Sequence, residues 1–263
     1  MKIGLSTWSL LHLDVNSAVR EIGNAGFDGV ELWGEVPHAY PDWTDRKALR
    51  DTLSSYSMLV TMHAPFTDLN PASPFQPVKG AVERTLDEFI KFSAFLGAKM
   101  VTVHPGSVHN EALVPQSTES AIHTLKSMTK AADGRLSVNV ENQTKSRSPY
   151  HFPLASNMES LQLILSEIEG SKFTFDTGHA FVNGQDLGGL VARTSTSLVE
   201  VHLSDNGGAA DEHLIPGEGK APLKPALERL KGSDVYICLE LDPHRYAKDQ
   251  VLSAARSAKE LLA

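Results

Sequence analysis

Along this chain, short apolar runs rich in β-branched residues alternate with stretches of helical periodicity, and the alternation recurs eight times. The predicted strands are KIGLST (2–7), GVELW (29–33), LVTMHA (59–64), MVTVHP (100–105), LSVNVEN (136–142), KFTFDT (172–177), LVEVHLSD (198–205) and VYICLEL (235–241). Val15, Val19 and Ile22 recur at helical spacing within 15–25, as do Val82, Leu86, Phe89, Ile90, Phe92 and Leu96 within 80–97, and 158–168 and 246–262 repeat the pattern. Eight strand–helix units in 263 residues match the size of a closed parallel barrel, typically about 250 residues. A doubly wound open sheet would place a glycine-rich phosphate loop after the first strand, and LSTWSL has none. With no linker or low-complexity segment, residues 1–263 are expected to form one α/β domain, a single (β/α)8 TIM barrel.

Hydrophobic content of 41% with 21% charged residues suits a globular chain with a full core. No apolar run reaches the roughly 18 residues of a spanning helix, so no membrane association is expected. MKIGLSTWSL lacks the apolar core and cleavage site of a signal peptide. The single cysteine, Cys238, has no internal disulfide partner, and a cytoplasmic setting is expected. A net charge of −8 disfavours DNA, although bound divalent cations would restore positive charge locally.

In a barrel of this kind, chemistry gathers where the strands end at their carboxyl termini. The second strand brings Glu31 there, the third His63, the fourth His104 and the fifth Glu141. The sixth brings Asp176 and then His179, with Gly178 expected to let the chain turn between them. The seventh brings His202, its following loop Asp211 and His213, and the eighth Glu240. A lone histidine or glutamate at a strand end is usually structural. Here one ring of positions repeats the choice, and carboxylates so crowded would repel and desolvate one another at several kcal/mol each. Divalent cations relieve that cost, and a His/Asp/Glu set without thiolate suits Zn²⁺, Mn²⁺ or Fe²⁺.

VTVHPG, SVNVENQT, FTFDTGHAFVNGQD, VHLSDN and DEHLIPGEG, in this order, resemble apurinic-site endonuclease IV and the xylose isomerase-like TIM barrels over nearly the whole chain. The endonuclease branch implies up to three zinc ions held by His63, His104, Glu141, Asp176, His179, His202, Asp211, His213 and Glu240, and all nine are present. The sugar isomerase and epimerase branch implies one divalent ion, such as Mn²⁺, on Glu141, Asp176, His202 and Glu240. In that branch Glu141 and Glu240 also serve as the catalytic acid/base pair.

Two activities follow. In the first, a metal-activated water attacks a phosphoester. In the second, the two glutamates move a proton on a carbohydrate through an enediol. Asp211 and His213 weigh towards the first, because proton transfer between adjacent carbons has no evident need for them. The ligand count therefore favours phosphoester hydrolysis, on a small phosphorylated substrate rather than DNA, with the isomerase or epimerase as the alternative. DNA is further disfavoured by the acidic loop NGGAADE and by Glu212, where the family has a basic residue. A non-catalytic binding module would be expected to have lost ligands, and none is lost. Trp8, Glu31, Trp33, His38, Phe66, His109 and Asn142 are the expected substrate contacts. The loop EVPHAYPDW, with Tyr40 and Trp43, is a candidate cover for a sugar ring. Lys145, Arg147, Lys220 and Arg245 are expected near the mouth as phosphate partners.

Overall fold

A computed structural model describes residues 1–262. Its strands are β1 (Lys2–Ser6), β2 (Gly29–Trp33), β3 (Leu59–His63), β4 (Met100–Val103), β5 (Ser107–Val108), β6 (Ser137–Glu141), β7 (Phe152–Pro153), β8 (Lys172–Asp176), β9 (Leu198–Leu203) and β10 (Tyr236–Leu239). Eight of them pair in parallel in the order β1-β2-β3-β4-β6-β8-β9-β10, and β10 returns to β1 to close the TIM barrel expected from the sequence. β5 and β7 form a separate antiparallel pair, joining the loops that follow β4 and β6.

The period-two pattern of the strands decides what faces where. Val30, Leu32, Val60, Met62, Val101, Val103, Val138 and Val140 are buried and belong to the main apolar core, as do Phe173, Phe175, Val201, Leu203, Ile237 and Leu239. The opposite phase carries Glu31, Thr61, Thr102, Asn139, Thr174 and Glu200, which are also fully buried. These meet across the barrel interior: Thr102 Oγ1 lies 2.7 Å from Thr174 Oγ1 and donates to Glu200 Oε2 at 2.8 Å. One step further along each strand, in the same phase, come His63, His104, Glu141, Asp176, His202 and Glu240. The alternation that buries the apolar set therefore aims the candidate ligands into the mouth.

Around the barrel lie α1 (Val15–Asn24), α2 (Arg46–Ser54), α3 (Gln76–Leu96), α4 (Val114–Ala132), α5 (Met158–Ser166), α6 (Thr177–Val182), α7 (Leu187–Thr194), α8 (Leu223–Leu230) and α9 (Lys248–Leu262). The periodic stretches read from the sequence correspond to α1, α3, α5 and α9. α8 buries Leu223, Ala226, Leu227 and Leu230, a helical stripe confined to eight residues, too short to dominate the longer windows in which periodicity is judged. No helix among the described residues is long and apolar enough to cross a membrane.

At the end of the barrel away from the mouth, Tyr236 packs with Met100 and Cys238. Its ring lies over Gly4 and Gly29, and a Cβ at Gly29 would stand 2.7 Å from the Tyr236 hydroxyl and 2.9 Å from the Leu59 carbonyl. Gly29→Ala is expected to lower the unfolding free energy by about 1–3 kcal/mol through overpacking. Gly80→Ala, inside α3, would bring a Cβ only into ordinary contact, 3.4 Å from the tip of the Arg84 side chain, and is expected to raise it by about 0.5–1 kcal/mol. Urea denaturation of the two variants checks both signs.

Candidate metal centre

Glu141, at the end of β6, is the hub of the mouth. Its Oε2 lies 3.2 Å from His63 Nε2 and 3.0 Å from His104 Nε2, and its Oε1 lies 3.2 Å from His202 Nδ1 and 3.5 Å from His179 Nδ1. His202 Nδ1 also stands 3.4 Å from Glu240 Oε2. A second group is set to one side, where Asp211 Oδ2 lies 3.1 Å from His179 Nε2 and 3.0 Å from His213 Nε2.

β8 delivers Asp176 and His179 through a helix rather than a loop. Asp176 caps α6, its Oδ1 accepting the His179 amide at 2.6 Å, so the capping bond itself sets the spacing of the two side chains. Gly178 lies within α6 and has no left-handed backbone, which corrects its expected role as a turn residue. It is needed for space: a Cβ there would come 2.8 Å from both Asp211 Oδ1 and Ser204 Oγ. The loop after β9 is braced by Asp205, whose carboxylate accepts the amides of Asn206, Gly217 and Ala221. That brace holds Asp211 and His213 over the mouth, with His213 in the left-handed region at φ 45°.

The charges of this ring are tightly coupled. Burial would raise the Glu141 carboxyl, but His202 and His104 outweigh it and hold it well below the usual range. Burial pushes Glu240 up to about 8, aided by the Glu31 and Glu141 charges, and it also raises Asp176. Burial works against the charged form of His63, yet its bond to Glu141 and that carboxylate's charge lift it to about 9. In the same way Asp211 outweighs burial and lifts His213 to about 9.

Asp176 Oδ2 and Asp211 Oδ1 are buried without a hydrogen-bond partner. Buried carboxylate oxygens of that kind are costly unless a cation receives them. One donor atom from each of Glu141, Asp176, His202 and Glu240 lies within 4.8 Å of the others, as do atoms from His179, Asp211 and His213, and from His63, Glu141 and His202. These mixed nitrogen and oxygen sets fit a divalent cation.

A cavity of about 250 Å³ opens above the ring, with Glu141 and Glu240 in its lining and Trp8, Trp33 and Phe66 as aromatic walls. The other expected substrate contacts lie elsewhere. Glu31 is fully buried below the mouth, two residues before Trp33 on the same strand, with Oε2 3.0 Å from His202 Nε2. His38 is buried because its loop folds back on β2, and its Nε2 lies 3.0 Å from the Leu13 carbonyl. His109 stacks on His151 at 4.7 Å, outside the cavity lining. The carboxamide of Asn142 is engaged by the Asp176 backbone, donating to its carbonyl and accepting its amide, both at 2.9 Å. Trp43 is 63% exposed and does not reach the cavity. Lys145 and Arg147 line a neighbouring recess that touches Asp211, and Arg245 pairs with Glu212. Glu200, not singled out in the sequence, is buried below the mouth near Glu31 and His202, but it lies outside the cavity lining and its Oε2 accepts from Thr102, Thr174 and Asn139; a glutamate in the inward phase of a strand was its signal.

The family model for xylose isomerase-like TIM barrels matches residues 19–261. The chain belongs to this family. An uncharacterized protein of Methanocaldococcus jannaschii is 30% identical over 91% of the chain and 83% of its own length. Fructoselysine 3-epimerase of Escherichia coli O157:H7 is 23% identical, over 94% of the chain and 95% of its own length. Among solved structures, a D-tagatose 3-epimerase-like protein superposes with a TM-score of 0.88 at 28% identity, covering 100% of this chain and 97% of that one.

The position of Asp176 should depend on the asparagine brace across from it. Asn142→Ala removes the side-chain acceptor of the buried Asp176 amide, at about 1–3 kcal/mol, and one donor to its carbonyl. It is expected to lower stability and to weaken divalent-metal binding together, whereas Asn142→Asp, which still offers an acceptor to the Asp176 amide, keeps part of both. Thermal melts with and without added Mn²⁺ read the two effects.

Proposed function

We propose that this chain is a divalent-metal-dependent epimerase or isomerase acting on a small ketose-like carbohydrate, with Glu141 and Glu240 as its proton-transfer pair. The observation that carries this reading is the convergence of Glu141, Asp176, His202 and Glu240 within 4.8 Å, with both glutamates lining one aromatic-walled cavity of monosaccharide scale. Relatives named by activity support the same reading, among them a fructoselysine 3-epimerase and a D-tagatose 3-epimerase-like protein. The ligand count had tipped the sequence towards phosphoester hydrolysis; these relatives tip the balance to the alternative.

Glu141, Asp176, His202 and Glu240 would hold the ion. A bound divalent cation supplies electrophilic polarisation of a carbonyl and an adjacent hydroxyl, making the neighbouring C–H acidic. One glutamate takes that proton to leave an enediolate, and the other returns a proton to the opposite face, so configuration inverts with no net change in atoms or electrons. Trp8, Trp33 and Phe66 exclude water from the enediolate and press on the apolar face of the sugar. The lining of the cavity includes no lysine or arginine among the described residues, which suits a neutral substrate better than a phosphorylated one.

The group His179, Asp211 and His213 favours a second reading, in which further zinc ions bind and the site cleaves a phosphoester. Metal analysis separates the two. One ion per chain, unchanged in an Asp211→Ala, His213→Ala double variant, supports the epimerase; two or three ions, falling by at least one in that variant, support the hydrolase. For the epimerase, Glu141→Gln and Glu240→Gln are each expected to lower turnover by about 10²–10⁴-fold. Chelation should abolish activity and Mn²⁺ should restore it. The direct test is NMR of a ketose panel in D₂O: deuterium appearing at the epimerised carbon carries the reading, and no exchange on any ketose with the metal-loaded protein sinks it.

A further inference from the structure

The histidines of the mouth are not all held in the same way. His63 Nδ1 lies 2.8 Å from the Ala64 carbonyl, His179 Nδ1 2.7 Å from the Asn142 carbonyl and His213 Nδ1 3.2 Å from the Glu240 carbonyl. Each of these rings is backed at Nδ1 by a neutral backbone oxygen, which for His179 is nearer than Glu141 Oε1 at 3.5 Å, and presents Nε2 to a carboxylate of the site. His202 is inverted. Its Nδ1 faces Glu141 and Glu240, and its Nε2 faces Glu31 Oε2 at 3.0 Å. Its backing is a full carboxylate, and both partners are completely buried.

A carboxylate at that depth has lost its hydration and persists only with a hydrogen-bonding partner. Glu31 has His202 Nε2 on one oxygen and the Cys238 thiol, at 3.9 Å, near the other. With the ring proton held on Nε2 by Glu31, the lone pair of the neutral imidazole is on Nδ1, directed between Glu141 Oε1 and Glu240 Oε2. Rotating the ring about its Cβ–Cγ bond would set a C–H against the buried carboxylate, so the pair locks ring orientation as well as tautomer. A carboxylate behind a ligating imidazole also makes the ring a stronger donor than a carbonyl does.

We propose that Glu31, expected from the sequence to touch substrate, is instead a positioning residue that fixes His202 with Nδ1 as its ligand atom and strengthens its grip on a divalent cation. This rests on the reading of Glu141, Asp176, His202 and Glu240 as the metal-holding set. Glu31 never meets the substrate. It acts through His202 alone, which distinguishes it from Glu141 and Glu240.

The experiment measures Mn²⁺ and Zn²⁺ affinity by competition with a fluorescent chelator, on wild-type protein, Glu31→Gln, Glu31→Leu and Glu200→Gln. Glu31→Gln retains shape and an acceptor oxygen but loses the charge, leaving His202 backed like its neighbours; affinity should fall by about 10-fold, and by about 100-fold in Glu31→Leu. Glu200→Gln alters an equally buried carboxylate that bonds to Thr102, Thr174 and Asn139 and should leave affinity within about threefold of wild type. On the zinc-loaded protein, ¹⁵N-resolved NMR of histidine should show a hydrogen-bonded Nε2–H on His202 that is absent in Glu31→Leu. If Glu31→Leu does not fold, the affinity of Glu31→Gln and the wild-type NMR spectrum decide. Equal affinity in wild type and Glu31→Gln, equal losses in Glu31→Gln and Glu200→Gln, or a His202 proton found on Nδ1 would overturn the proposal. Wild-type protein that binds no divalent ion would instead overturn the metal-site reading on which it stands.

Discussion

Glu141 is fully buried, with the imidazoles of His63, His104, His179 and His202 between 3.0 and 3.5 Å from its two oxygens. A carboxylate in that position is tolerable only while positive charge surrounds it, and much of the mouth is built to supply that charge. β3, the segment after β4, α6 and β9 each bring one imidazole to it. The remaining carboxylates compete for the same rings, so no single charge can be removed without exposing another. A divalent cation would resolve the competition by meeting several carboxylate oxygens and imidazole lone pairs at one point.

The interior of the barrel carries this arrangement downward. Below the ring, Glu31, Thr61, Thr102, Asn139, Thr174 and Glu200 form a polar layer where an apolar filling would be more stabilising. Burial pushes Glu200 up to about 7, aided by the Glu31 charge. Such a layer is kept at a cost in stability, and its benefit is orientation: Glu31 ties the layer to His202, and through it to the mouth. Stability comes from elsewhere, chiefly from the apolar zone between strands and helices.

One ring of donors can serve two chemistries. The set of Glu141, Asp176, His202 and Glu240 is sufficient for proton transfer next to a polarised carbonyl, while His179, Asp211 and His213 extend the donors to one side. The number of cations held by this one framework would separate the two chemistries, and the cavity walls would then decide what can approach. Here three aromatic side chains wall the cavity, in keeping with the small carbohydrate proposed as substrate.

The sequence by itself determined the barrel and the phase of its candidate ligands. Eight apolar runs with period two can bury one face against helices only if the other face turns inward, so Glu141, Asp176, His202 and Glu240 were bound to share the interior. It did not reveal which nearby polar groups join them. Asn142 follows Glu141 directly, yet its amide is spent on the Asp176 backbone, and that pairing exists only because β6 and β8 are neighbours. α6 is six residues long, too short to show a period, so in the sequence Gly178 reads as a turn, whereas it is helical and Asp211 packs against it. Glu31 and His38 had the right chemistry for substrate contacts but lie at the wrong depth. Depth along a strand and the fold-back of a loop are set by long-range packing, which only the tertiary structure decides, because the distances that matter join residues far apart in the chain.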